Sequence, residues 1–331
     1  MMKHKLRIKR IVSTVITILI IGIAVQKLGY ILRPVNTDSA VSTIDTFHDM
    51  PENSFEVIGY GSSHMWRGMN PIELYDQYGI GAYNYGCNWQ NINTTLLFLE
   101  DSLLTQKPKV ALIETYIVDS CKENQNMDGE IYYTTAITEF EGKQKYLQQA
   151  FGDNIERYLS YYMPLCAFHD NWINISAESF RENRIEVYDF YKTMGFRDDD
   201  TVAPLTLPDS SNLVQAELPE DSLQILDEIV DICNKNDIDI VFYTAPYQGA
   251  YHYSDAMKKY AEENNAVYFN LFEYIDEVGI DGSTDFSDGG HLNTSGSNKV
   301  ADFLGAYLIA NYDLTDYRNV ENNLWESAKN R

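Results

Sequence analysis

The sequence is short of basic residues and of cysteine, and each shortage closes off a class of function. Lys and Arg number 25 against 49 Asp and Glu, which leaves a formal net charge of −24 at pH 7. A chain of that charge repels nucleic-acid phosphates, so nucleic acid is not an expected partner. The four cysteines, Cys87, Cys121, Cys166 and Cys233, are irregularly spaced with no C-x-x-C pair. That pattern argues against a cysteine zinc site and a dense disulfide framework, while one or two bridges stay open. No set of His, Asp and Glu has metal-ligand spacing, and no metal is expected. Internal repeats and low-complexity runs are also missing, which removes solenoid and fibrous readings.

What is present is the composition of a folded protein. Hydrophobic residues make up 44% and charged residues 22% of the 331, and tyrosine is unusually frequent at 25. The length suits one large domain with insertions or two small ones.

The few clustered basic residues, Lys3, Lys5, Arg7, Lys9 and Arg10, precede an uncharged run over residues 11–25, and after Gln26 and Lys27 the apolar character resumes to residue 32. As a helix, residues 11–32 would rise roughly 33 Å, enough to cross a hydrocarbon core of about 30 Å, with Lys27 snorkelling at the outer end. Positive residues stay on the cytoplasmic side. The expectation is therefore a cytoplasmic basic flank at 1–10, a single-pass anchor in the cell membrane at 11–32, and everything beyond it extracytoplasmic. A cleaved signal peptide, with Gly22 and Ala24 as a small-x-small site, is the competing reading.

After a polar tether over 33–53, residues 55–60 read as a strand ending in the small-residue turn Gly61-Ser62-Ser63. A helix from about residue 71, a strand at 82–85, a helix near 91–104 and an apolar strand at 110–113 follow. The rhythm returns later with a helix at 221–234, a strand at 238–243, a helix at 254–263, a strand at 266–271 and a last helix at 295–310. Alternating strands and helices imply a parallel sheet covered on both faces. Residues 119–219 lack the alternation and read as a mostly helical, irregular insertion that could cap a substrate site. The α/β domain is thus expected over 54–314, with a C-terminal tail at 315–331.

In such sheets ligands bind beyond the carboxyl ends of the strands, where Gly61-Ser62-Ser63-His64 lies after the first strand. The Gly-rich segment from Asp285 to Asn293, which contains Asp288 and His291, falls at the same edge between the last strand and the last helix. A serine hydroxyl becomes a useful nucleophile when a neutral imidazole takes its proton, and that imidazole needs a carboxylate to fix its tautomer. Ser63, His291 and Asp288 supply those three groups. Taken singly, Ser63 is equally a turn or N-cap serine, and Asp288 and His291 a loop pair.

Gly-x-Ser after the first strand with Asp-x-x-His before the last helix resembles the SGNH (GDSL-type) hydrolase family over about residues 55–312, with Gly-Ser-Ser in place of Gly-Asp-Ser. Gly61-Ser62-Ser63-His64-Met65 and Asp288-Gly289-Gly290-His291-Leu292-Asn293 are most similar to membrane-anchored cell-surface members in Gram-positive bacteria, and more loosely to the member that acts in teichoic acid D-alanylation. The resemblance implies a flavodoxin-like three-layer α/β/α sandwich with Ser63 as nucleophile, His291 as general base and acid, and Asp288 as its orienter. It further implies oxyanion donors from the Ser63 N–H and from Gly86, in Asn84-Tyr85-Gly86-Cys87-Asn88. The family's third donor, an Asn after the third strand, is missing, since the sequence there reads Glu114-Thr115-Tyr116. Asn88 and Tyr116 are the substitutes to consider.

His64 is expected to point away from the nucleophile, because adjacent residues diverge in a turn, with lining the site as its other reading. Tyr247, Tyr251 and Tyr253 could form an aromatic wall or pack in the core. His169, in an apolar context with Trp172, is expected to be a packed histidine. The functional expectation is a serine esterase or O-acyltransferase acting on acyl esters of cell-envelope or exported glycans without a cofactor. A membrane acyltransferase partner stays open, and the rival is a membrane-tethered glycan-binding or assembly protein that retains the fold without activity.

Overall fold

The computed structural model describes residues 2–34, 41–120, 134, 136–137, 139–151, 154–180, 189–208, 214–249 and 251–331. Cys121 and part of the 119–219 segment lie outside them. The chain divides into two compact units, one of Met1–Asp38 with Leu147–Val187, the other of Ser39–Tyr146 with Tyr188–Arg331.

In the larger unit five parallel strands, β1 (Val57–Tyr60), β2 (Ala82–Asn84), β3 (Val110–Glu114), β4 (Asp239–Thr244) and β5 (Val267–Asn270), pair in the order β2-β1-β3-β4-β5. This is the flavodoxin-like order. Side chains alternate across a strand, so β1, β3 and β4 split their residues between two apolar layers. Val57, Val110, Leu112, Val241 and Tyr243 pack with Leu74 of helix Pro71–Tyr78 and with Val300, Leu304 and Leu308 of helix Thr294–Asn311. From the intervening positions, Tyr60 reaches Ser102 of helix Ile92–Ser102 at 2.7 Å and Phe242 meets Tyr260 of helix Ser254–Glu263. The result is a three-layer α/β/α sandwich.

Two segments read as peripheral are built into this unit. Within the expected tether, Val41–His48 forms a helix whose Phe47 is fully buried and stacks on Tyr85 at 4.1 Å between ring centroids. His48 Nε2 lies 2.7 Å from the buried Asp101 carboxylate, which also accepts the Tyr85 hydroxyl. The apparent polarity of that stretch concealed apolar residues at helical spacing. The expected tail carries the helix Leu324–Lys329, whose buried Trp325 donates its indole N–H to Ala82 O at 3.0 Å.

The smaller unit holds the helix Met2–Leu32, of which Arg7–Leu32, 26 residues containing an 18-residue stretch with a mean hydropathy of 2.2, is long and apolar enough to cross a membrane. The expected insertion is divided between the units. Residues 154–180 belong with this N-terminal helix, whereas residues 189–208 belong to the α/β unit. His169 is exposed rather than packed, with Nδ1 3.0 Å from Cys166 O. Among the described residues, Cys166 and Cys233 form no disulfide.

Candidate active site

The chain leaves β1 through Gly61, whose φ of +154° favours glycine, and an added Cβ there would stand 2.9 Å from both Glu114 Cβ and Met65 Cβ. The four-residue helix Ser63–Trp66 follows immediately. Ser62 is its N-cap and accepts the His64 N–H at 3.2 Å. The capping duty therefore falls to Ser62, and the Ser63 hydroxyl is left for other work. The Ser63 N–H occupies the first helical position, where no intrahelical acceptor exists.

The helix lies close over the end of β2. A Cβ on Gly86 would come within 2.7 Å of Met65 Cγ and 3.0 Å of Trp66 N. Asn84, fully buried, donates to Met65 O at 2.8 Å and Met69 O at 2.7 Å, and its Oδ1 accepts the Gly86 N–H at 3.1 Å. The neighbouring Tyr85 and Cys87 N–H groups bond to Gly59 O and Gly61 O. The Gly86 N–H expected at an oxyanion is thus already engaged by Asn84. This glycine's evident task is to let the Ser63 helix approach the sheet.

The second half of the site is the loop between Asp285 and Asn293. It is closed by Ser287 N–H on His291 O at 3.0 Å and tied to the β4 side by Gln248 N–H on Gly289 O at 2.9 Å. Asp288 Oδ1 accepts the N–H groups of Gly290 at 2.7 Å and His291 at 2.9 Å, an Asx turn that folds the carboxylate back under the imidazole. His291 Nδ1 is 2.9 Å from both Asp288 oxygens, and Nε2 is 2.8 Å from Ser63 Oγ. The network assigns the proton to Nδ1, which leaves Nε2 to accept the Ser63 hydroxyl proton.

Electrostatics suit that proton transfer. Burial works to raise the Asp288 carboxyl, but the hydrogen bonds from His291 and Gly290 outweigh it and hold the group below the ordinary carboxylate range. Burial pulls the His291 imidazole below its ordinary value; Asp288 opposes the shift and the Arg67 and Arg197 guanidinium groups add to it. His291 is then neutral at neutral pH and able to act as a base.

Two arginines that sequence reasoning missed stand beside this pair. Arg67, the C-cap of the Ser63 helix, places Nη1 3.5 Å from Asp199 Oδ2 and 3.6 Å from Asp288 Oδ2, and Arg197 Nη1 is 3.4 Å from Asp199 Oδ2. Asp199 and Arg197 come from the C-terminal part of the expected insertion, which carries no periodic pattern to announce them.

His64 does not diverge from the site as expected. It is buried with its ring centroid 5.3 Å from that of His291, 4.2 Å from Tyr116 and 5.1 Å from Tyr247. Burial pushes its pKa down to about 3, so it is a neutral part of the wall. Tyr247 also meets Tyr116 and Phe272, and Tyr116 is partly exposed beside His64. Tyr251 is buried and donates to Thr115 O at 3.1 Å, which places it in the core rather than in an aromatic wall. Asn88 is half-buried in the turn after β2. The Tyr116 N–H is occupied by Glu114 Oε1 at 3.1 Å.

Glu114 was passed over in the sequence although it ends an otherwise apolar strand. It is fully buried with Oε2 3.4 Å from Ser62 Oγ and also accepts the Ala245 N–H, so it links the ends of β1, β3 and β4 beneath the Ser63 turn. Burial pushes its pKa up to about 8 against the opposing pull of the Tyr116 and Ala245 N–H groups and the Ser62 hydroxyl.

No family model matches the chain, and no curated protein matches it. Among solved structures, the chain is similar to a candidate acylhydrolase from Bacteroides fragilis, at 11% identity and a TM-score of 0.39, over 80% of this chain and 92% of that one.

Proposed function

We propose that the protein is an SGNH-type serine esterase or O-acyltransferase that acts on acyl esters of cell-envelope or exported glycans. The observation that carries this reading is the hydrogen-bonded line from Ser63 Oγ through His291 to Asp288, at 2.8 and 2.9 Å. Ser63 Oγ attacks the ester carbonyl as its proton passes to His291 Nε2, while Asp288 stabilises the imidazolium. The tetrahedral oxyanion is met by the Ser63 N–H, and the alcohol leaves with the proton from His291. Water or a glycan hydroxyl then attacks the acyl-Ser63 ester, gives its proton to His291, and restores the serine. The apolar N-terminal helix supports work at a membrane surface, where envelope glycans and a membrane acyltransferase partner would be within reach.

The engagement of the Gly86 N–H by Asn84 favours a second reading, in which the fold is retained for glycan binding without turnover. One experiment separates them. The full chain in detergent is treated with a fluorophosphonate probe and with p-nitrophenyl acetate beside the Ser63→Ala variant. The enzymatic reading expects labelling at Ser63 and ester cleavage, with a loss of at least about a thousandfold in the variant. Equal behaviour of the two proteins would leave the binding reading.

A further inference from the structure

Residues 154–180 are packed on the C-terminal end of the N-terminal helix. Gln26 donates its side-chain amide to Tyr162 O at 3.4 Å, Asn171 donates to Leu32 O at 2.8 Å, and Gly29 approaches so closely that a Cβ would stand 2.6 Å from Leu165 N. Tyr161, Phe168 and Leu32 are buried. Other large apolar side chains of the same segment are exposed. Ile155 is 71%, Trp172 66%, Ile173 69% and Phe180 63% exposed, and Leu159 lies one helical turn from Ile155 on the same face. So many bare apolar groups in so short a stretch mark an interaction surface.

The attachment points identify the partner. With residue 11 at the inner boundary, Gln26 stands roughly 22 Å along the helix and Leu32 roughly 32 Å, so the contacts fall near the outer boundary of a core about 30 Å thick. A segment fixed at that depth has its side chains at the level where acyl chains meet headgroups, the level that tryptophan favours. His169 and Asp170, paired at 3.2 Å beside Trp172, suit the headgroup side of that boundary.

We propose that residues 154–180 form a collar seated in the outer leaflet, with Ile155, Leu159, Trp172, Ile173 and Phe180 inserted among the lipids around the anchor. The collar rests on residues 11–32 spanning the membrane and is independent of the chemistry at Ser63. It would make the membrane attachment a helix plus an interfacial pad rather than a lone helix.

The test reconstitutes the full chain in phosphatidylcholine vesicles and in vesicles of the same lipid brominated near the carbonyl end of its acyl chains. The emission that depends on Trp172 is the difference between wild type and Trp172→Phe, a change at an exposed site that leaves the fold intact. The collar expects most of that emission to be lost in brominated vesicles and to resist quenching by aqueous acrylamide. Emission quenched by acrylamide and untouched by bromine would put Trp172 in water and overturn the proposal. Protection from both quenchers would mean that protein, such as a second copy, covers the surface, and would overturn it too. An alkaline carbonate wash tests the anchor separately: a chain that is retained with unquenched Trp172 has lost the collar alone, whereas a chain that is released has lost both.

Discussion

Arg67 Nη1 stands 3.6 Å from Asp288 Oδ2, which makes the residue at the end of the Ser63 helix a neighbour of the carboxylate that orients His291. The same Nη1 reaches Ser287 Oγ at 3.4 Å, and the Arg67 carbonyl accepts the Ser297 hydroxyl. The short helix is therefore joined to the loop of Asp288 and His291 at both ends, through Ser63 to His291 at one and through Arg67 at the other. A helix of 4 residues cannot hold its own position, so these ties and the Asn84 clamp set the aim of the Ser63 hydroxyl.

Arg67 also bears on the pH profile. Its charge helps hold His291 below the ordinary imidazole value, so removing it lets that value rise. Since the base works as the neutral form, the acid limb of kcat/KM should move to higher pH in Arg67→Gln, with a severalfold loss at pH 6 that narrows by pH 8. Arg67→Lys, which keeps the charge, should restore much of the limb. A loss of the same size at every pH would mean that Arg67 acts only by shaping the loop.

The sheet was legible because buried parallel strands are apolar runs between helices, and the reading of residues 110–113 and 238–243 fell within a residue of β3 and β4. Ser63, Asp288 and His291 were legible because each sits just past a recognisable strand or before a recognisable helix. Asn84, Glu114, Arg67 and Arg197 were not. Their roles come from tertiary contacts with residues far away in sequence, and the polar residues Asn84 and Glu114 in apolar strands were the only local hint. Gly86 was read as an oxyanion donor, and its N–H bond to Asn84 Oδ1 is a contact that sequence cannot show.

Glu114 makes a testable linkage. Its folded value of about 8 lies above the ordinary 4.5, so the native state holds a proton that the unfolded chain has released between those values. Stability from this group is complete below about pH 4.5 and is lost as pH rises towards 8. Glu114→Gln keeps an oxygen for the Tyr116 and Ala245 N–H groups and has no proton to lose. Its stability advantage over wild type, read from thermal unfolding, should therefore grow from pH 5 to pH 8, reaching on the order of a few kcal/mol. Parallel curves for the two proteins would show that the carboxyl is not protonated in the fold.

Gly86→Ala asks whether close approach or hydrogen bonding explains the glycine. Alanine keeps the N–H that Asn84 accepts but adds a Cβ that would lie 2.7 Å from Met65 Cγ and 3.0 Å from Trp66 N. The helix must lift, and Ser63 moves with it. A displacement of about 1 Å at a reacting group can cost a hundredfold in rate, whereas overpacking of this kind costs about 1–3 kcal/mol in stability. Fluorophosphonate labelling of Ser63 should therefore slow far more than the thermal midpoint falls. Adding Met65→Ala removes the 2.7 Å clash with Cγ and leaves the 3.0 Å contacts with Met65 Cβ and Trp66 N, so the double variant should recover part of the labelling rate even though it loses core volume. If it recovers none, the decisive contacts are the two that remain, at Met65 Cβ and Trp66 N, and the spacing between β2 and the Ser63 helix is fixed by the helix backbone and its Cβ atoms.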